Sequence, residues 1–290
     1  MRLRVFVHFY KNVRRWAAYG SWRGHNKGIR TQMCCSLNVL GSVLVQQTEK
    51  VKVKTRSHIR RLPTGVPGLD ELLGGGIPEF SLNLIGGAPG SGKTTLAHQI
   101  MFSLAGPEQH ALFFTTLGEP ALKMLRYQQL FPFFDVDKIN RSIRFVDLSA
   151  VVRDNDFKSV LVHIVNAVRD FSPRLVFIDS FESIEESAKG LEPGPNSLRS
   201  FIQQLGTTMA GWLVTTFLIG EYQLPKAKSS PAFAIADGIV WLSQTSQYDE
   251  TARKIQVIAM RGQAQSPGLH TFLINDAGIE IISRRHLGIG

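Results

Sequence analysis

Cysteine is almost missing from this sequence. Only Cys34 and Cys35 occur in 290 residues, and they are adjacent. Disulfide geometry does not suit adjacent residues, and two thiols make neither a disulfide framework nor a zinc pattern. A disulfide-built secreted scaffold is therefore excluded, and a reducing, cytoplasmic setting is the default expectation. Runs of about 18 apolar residues are also lacking, so nothing reads as a membrane-spanning helix and no membrane partner is expected. Acidic residues are scarce in one region only. Glu49 is the single carboxylate among the first 57 residues, against 12 lysines and arginines, a net of +11. The remaining 233 residues hold 21 basic and 22 acidic side chains, so the overall +10 belongs entirely to the first segment. The rest of the chain is near neutral and carries no electrostatic footprint for nucleic acid.

Residues 1–57 are Arg-rich and aromatic-rich without clear periodicity. They lack a convincing cleavage pattern, so a secretory signal is not expected, and the resemblance to an organelle presequence is weak. The segment reads as a basic, poorly ordered extension, or as sequence ahead of a natural start near Met33 or Val45. A DNA- or membrane-binding arm is the functional alternative.

Regular organisation begins near Leu62, and residues 58–290 read as one domain. Pro and Gly flank a short helix at 67–73. Apolar runs at 81–86, 111–117, 142–148, 174–180 and 211–220 read as strands. They alternate with helices at 92–105, 119–131, 156–171 and 196–210. Continuous apolar strands alternating with helices predict an α/β fold with a mostly parallel central sheet covered on both faces. Beyond residue 234 the pattern changes to short strands separated by turns: "AIADGIVWLSQ", "RKIQVIAMRG", "LHTFLIND" and "GIEIIS". These predict a C-terminal antiparallel extension of the same sheet.

The motif that carries chemistry is "GGAPGSGKTT", residues 86–95. Gly87, Gly92, Lys93 and Thr94 satisfy the phosphate-loop spacing G-x-x-x-x-G-K-[ST], between a strand and a helix as that motif requires. Gly87, Gly90 and Gly92, with Ala88, Pro89 and Ser91 between them, let backbone N–H groups surround a phosphate chain. The N-terminus of the following helix, with Thr95 in its first turn, favours the same anion. Lys93 is placed to reach the β/γ oxygens of ATP, and Thr94 to ligate Mg²⁺. Asp179 ends the apolar run "RLVFIDS", where a strand-terminal carboxylate can hold Mg²⁺ through water. Glu119 follows the strand "ALFFTT" and is a candidate for orienting water. An acidic residue in a first helical turn is its structural alternative.

Together these pieces resemble the KaiC branch of the RecA-like P-loop ATPases over about residues 62–283. The resemblance rests on "TGVPGLDELLGGGIP", "GGAPGSGKTT", "TTLGEP", "LVFIDS", "ADGIVWL" and "AMRGQAQSPGLHTFLINDAGIEI". It implies one RecA-like domain in a homo-oligomeric, usually hexameric, ring with ATP at subunit interfaces. The family pattern has two consecutive glutamates where this chain has Gly118-Glu119. It has K-x-R-G where this chain has Ala259-Met260-Arg261-Gly262, leaving Arg261 as the implied finger toward a neighbour's γ-phosphate. The clock members self-phosphorylate on a Ser-Thr pair just before "ADGIVWL". Here that position is Phe233-Ala234, and Ser229 and Ser230 nearby read as a solvated loop.

The expected function is thus ATP hydrolysis, slowed by the two lost charges, in signalling or regulation. Lys93, Glu119 and Arg261 are the expected catalytic groups, and Thr94 and Asp179 the metal ligands. One alternative is an ATP-gated assembly module with negligible hydrolysis. The others are a Ser/Thr autokinase and a RecA-type DNA-dependent ATPase. No motif identifies a protein partner.

Overall fold

Apolar residues on both sides of each central strand dictate a sheet with a core on each face. A computed structural model describes residues 59–116, 121–154, 156–187, 197–224, 229–247 and 250–282, all within the unit His58–Gly290. The basic segment 1–57 lies outside the described residues, as do Gly118 and Glu119.

The chain opens with β1 (Arg61–Leu62), α1 (Leu69–Leu73) and β2 (Ile77–Pro78), where β1 and β2 pair antiparallel. Next come β3 (Leu82–Gly87), α2 (Lys93–Leu104), β4 (Ala111–Thr115) and α3 (Ala121–Gln128). A single 3-10 turn at Val136–Lys138 leads to β5 (Ile143–Asp147), α4 (Ser149–Arg153) and α5 (Phe157–Phe171). β6 (Leu175–Asp179), α6 (Phe181–Ser187), α7 (Leu198–Gly211), β7 (Thr215–Glu221) and α8 (Pro231–Ile235) follow. The chain finishes with β8 (Gly238–Gln247), β9 (Glu250–Met260), β10 (His270–Asn275) and β11 (Gly278–Ile282).

The main sheet of the described residues has nine strands in the order β11-β10-β9-β8-β3-β7-β6-β4-β5. Strands β8, β3, β7, β6, β4 and β5 run parallel, and β9, β10 and β11 continue the sheet antiparallel. The expected architecture is therefore the one observed.

Alternate side chains of the central strands enter opposite cores, as a pleated strand requires. Ile85, Phe113, Phe177 and Phe217 pack beneath α1 and α2, while Leu84, Phe114, Ile178 and Leu218 pack beneath α5, α6 and α7. Phe113, Phe177 and Phe217 are register partners across three strands, and their rings stack at centroid distances of 6.0 and 4.6 Å. Such cross-strand aromatic pairs fix register as well as burying area.

The starts of two strands differ markedly from expectation. The strand expected at 211–220 starts at Thr215, because α7 continues to Gly211. Leu213 then turns the chain with φ 61°, and Val214 donates back to the Met209 carbonyl. Trp212 and Leu213, read as strand residues, are 43% and 47% exposed. Ala234 and Ile235, also read as strand, belong to α8. Against the expectation of a solvated loop, Ser230 caps α8 through the Ala232 amide and donates to Glu185 at 2.6 Å. Burial pushes the Glu185 carboxyl above the usual range, with the Ser230 hydrogen bond opposing the shift. The helices α4 and α6 and the β1–β2 pair are too short to leave a periodic signature.

His98 sits on α2, fully buried, with the Phe113 ring 4.7 Å away and the Phe102 and Phe145 rings edge-on at 6.4 and 6.2 Å. Burial lowers its pKa from 6.5 to about 4, with the Gln128 side chain offsetting only part of the shift. The unfolded chain takes up this proton below about pH 6.5, and the folded chain refuses it until about pH 4. His98 therefore destabilises the protein progressively between those values, and its contribution is flat below. Between pH 7 and pH 5 the loss should be about 2 kcal/mol. Urea unfolding at the two pH values, beside His98→Leu, measures it. A pH response unchanged in the variant would contradict the assignment.

Candidate active site

The carboxyl ends of β3, β7, β6 and β4 lie side by side, the position where open α/β sheets bind ligands. The phosphate-loop motif leaves β3 there. Gly87 has no room for a side chain, because a Cβ would collide with the Leu242 carbonyl on β8. At Gly90, φ is 71° and nothing lies within 4 Å of a Cβ position, so the loop faces open space. α2 begins at Lys93 with Gly92 as its cap residue, and no side chain caps its first turn. Those N–H groups are left for an anion. Ser91 Oγ is buried without a hydrogen-bond partner among the described residues.

Lys93 is buried and folds back over its own loop, donating to the Ala88 carbonyl at 2.8 Å. Thr94 Oγ1 donates to Asp179 Oδ2 at 2.7 Å. Asp179 ends β6, and burial raises its pKa to about 6, opposed first by the Thr94 hydrogen bond and then by the Lys93 charge. The Asp179–Ser180 peptide is cis. Ser180 N donates to Thr116 Oγ1 at 2.9 Å, and Thr116 Oγ1 donates to the Ser180 carbonyl at 2.8 Å. Thr116 N also reaches the Asp179 carbonyl at 3.1 Å, tying the ends of β4 and β6 together. A cleft of about 290 Å³ opens between these elements, walled by Lys93, Thr94, Asp179, Glu182, Glu186 and Glu221. A threonine hydroxyl and a carboxylate oxygen in contact are the hard oxygen donors Mg²⁺ prefers, beside a glycine cradle that fits phosphate. The residues fit both groups.

The structure thus brings Gly87–Thr95 and Asp179 together, as the sequence suggests. It does not bring Arg261 to them. β9 runs antiparallel to β8, so Arg261 emerges beside Asp237, at the amino end of β3. Arg261 Nη1 pairs with Asp237 Oδ1 at 3.1 Å, and Asp237 Oδ2 accepts from Leu82 N at 3.0 Å. The whole length of β3, about 17 Å at 3.3 Å per residue, separates it from the phosphate loop of its own chain. Glu119 lies outside the described residues. A carboxylate the sequence reading missed is Glu221, at the end of β7, 3.4 Å from Lys93 Nζ.

The sequence matches the family described as "ATPase: KaiC" over residues 62–286. The chain belongs to the KaiC family of ATPases. A UPF0273 protein of Thermotoga maritima is 30% identical over 240 residues, 77% of this chain and 96% of its own. The circadian clock oscillator protein KaiC of Prochlorococcus marinus is 22% identical over 243 residues, 81% of this chain and 47% of that protein. This chain thus spans about half of that clock protein. Among solved structures, the KaiC-like protein of the hyperthermophilic archaeon Pyrococcus horikoshii aligns with a TM-score of 0.65 at 29% identity. That alignment covers 78% of this chain and 100% of the archaeal one. The RecA-like P-loop fold is therefore established, and KaiC-family membership carries nucleotide binding with it. Among the described residues no helix is long and apolar enough to cross a membrane.

Proposed function

We propose that this KaiC-family chain binds Mg²⁺-ATP at the phosphate loop and hydrolyses it slowly at interfaces between copies of itself, in a regulatory role. The observation that carries the reading is the 2.7 Å contact joining Thr94 to Asp179 beside Lys93. Lys93 and the loop amides bind and orient the phosphates. Thr94 and Asp179 would hold Mg²⁺, which when bound neutralises charge on the phosphates. Glu119 accepts a proton from, or orients, the attacking water. Arg261 lies too far to serve its own loop, which supports service to a neighbour's site. Head-to-tail repetition of such a contact generates a ring when the rotation closes, and a hexamer is the family's usual solution.

The absence of a second carboxylate at Gly118 and of a lysine at Ala259 favours one rival, an ATP-gated assembly module. Steady-state ATPase of the full chain, from nanomolar to micromolar protein, separates the two readings, with Glu119→Gln as the background. Turnover per subunit is expected to rise at least about tenfold as copies associate, and to stay at background in the variant. A rate per subunit independent of concentration would remove the interfacial site. Background rates in both proteins at every concentration, with ATP bound, would establish the assembly module instead.

A further inference from the structure

β7 lies between the strand of the phosphate loop and the strand of Asp179, and it too ends on a carboxylate. Glu221 is the register partner of Gly87, where the loop begins. Its Oε1 sits 3.4 Å from Lys93 Nζ, whose other partner is the Ala88 carbonyl at 2.8 Å. The Lys93 side chain is only 6% exposed, whereas that of Glu221 is 46% exposed, so the carboxylate is the member of the pair that can swing into solvent.

Among the described residues, the two acceptors on this ammonium are therefore groups of the chain itself. A phosphate oxygen approaching Nζ meets a charge that already has a counter-ion. A carboxylate left in place beside that phosphate would be a like-charge contact in a partly enclosed cleft, where such contacts are weakly screened. The two anions cannot share Lys93 without cost.

We propose that Glu221 is a displaceable counter-ion of Lys93, a built-in competitor that the phosphates of a nucleoside di- or triphosphate must drive off before the loop closes on them. The inference rests on reading the loop as a nucleotide site. The empty loop is then held in a self-inhibited form. Release of Glu221, four strand positions beyond Phe217, registers the arrival of the β- and γ-phosphates. A nucleoside monophosphate does not extend to Lys93 and leaves the pair intact.

Isothermal titration of the full chain and its Glu221→Gln variant tests this, in the presence of Mg²⁺, with a non-hydrolysable ATP analogue, ADP and AMP. The variant should bind the analogue and ADP roughly three- to tenfold more tightly, with AMP unchanged. Unchanged or weaker analogue binding, with the wild type binding normally, overturns the proposal. Equal tightening toward AMP also overturns it, since that would be repulsion spread over the whole site. A wild type that binds none of the three overturns the nucleotide-site reading, and the proposal with it. Should the glutamine variant fail to fold, Glu221→Asp withdraws the carboxylate by one methylene. It should tighten analogue binding in the same direction by a smaller factor, and no tightening there would be equally decisive.

Discussion

Arg261→Ala is expected to lower ATP turnover by about 10²–10³, at the lower end of what a trans-acting arginine supplies or comparable to loss of one transition-state donor. ATP binding by the same subunit should be unaffected, because Arg261 stands at the far end of β3 from the phosphate loop. The fold should survive, since the guanidinium is largely exposed and its Asp237 partner keeps its hydrogen bond from Leu82 N. The decisive measurement is mixing. Lys93→Ala lacks the phosphate-binding ammonium but keeps Arg261, whereas Arg261→Ala has the reverse defect. If arginines act across interfaces, an equimolar mixture of the two inactive proteins should recover about a quarter of the wild-type rate, the statistical share of complementary head-to-tail interfaces. Strict additivity of two inactive proteins would assign Arg261 no role at a neighbour's site.

Asp179→Asn should act in opposite directions on stability and on turnover. Burial holds the Asp179 carboxyl at about pKa 6, above its ordinary 3.8. A raised carboxyl means that the folded protein binds a proton the unfolded chain does not, between those two values. The ionised group therefore penalises the nucleotide-free fold above pH 6, and the penalty disappears as pH falls through 6 toward 4. Asparagine removes the charge and still accepts from Thr94. Nucleotide-free Asp179→Asn should be more stable than wild type at pH 7.5, on the order of 1–3 kcal/mol or several degrees in Tm. The advantage should vanish near pH 4. ATP turnover should fall by about 10² or more, since the carboxylate that would hold Mg²⁺ is gone. Melting curves at the two pH values and an ATPase assay read both effects. A variant less stable at pH 7.5 than wild type would show that the charge is already compensated in the folded protein.

Much of this was legible in the residues. The phosphate loop could be read because each of its glycines has a local reason, and Asp179 because a carboxylate ends an otherwise apolar strand. Glu221 carries that second signature equally well in "TTFLIGE". It escapes a sequence reading because the preceding apolar residues Trp212 and Leu213 extend the apparent strand backwards. They shift it to 211–220, and the carboxylate falls into the following loop. Only the turn at Leu213 resets the boundary. Arg261 shows a different limit. Its position in the chain is plain, but its distance from Lys93 follows from β9 running antiparallel, a long-range property of the sheet. The Ser230 bond to Glu185 joins segments 45 residues apart, and the helices α4 and α6 are too short to leave a periodic signature, so no local pattern announces either.

The separation of Lys93 and Arg261 by one six-residue strand gives the chain a direction. Where copies stack head to tail, every such row has one uncovered loop at one end and one unused arginine at the other. Adding a subunit completes one site, and closing the circle completes the last one with no new subunit. Damage would also travel one way around the circle. With Arg261 serving the next loop, as proposed, a lesion at the loop would silence the subunit that carries it, whereas a lesion at Arg261 would leave its bearer intact and silence the subunit next door.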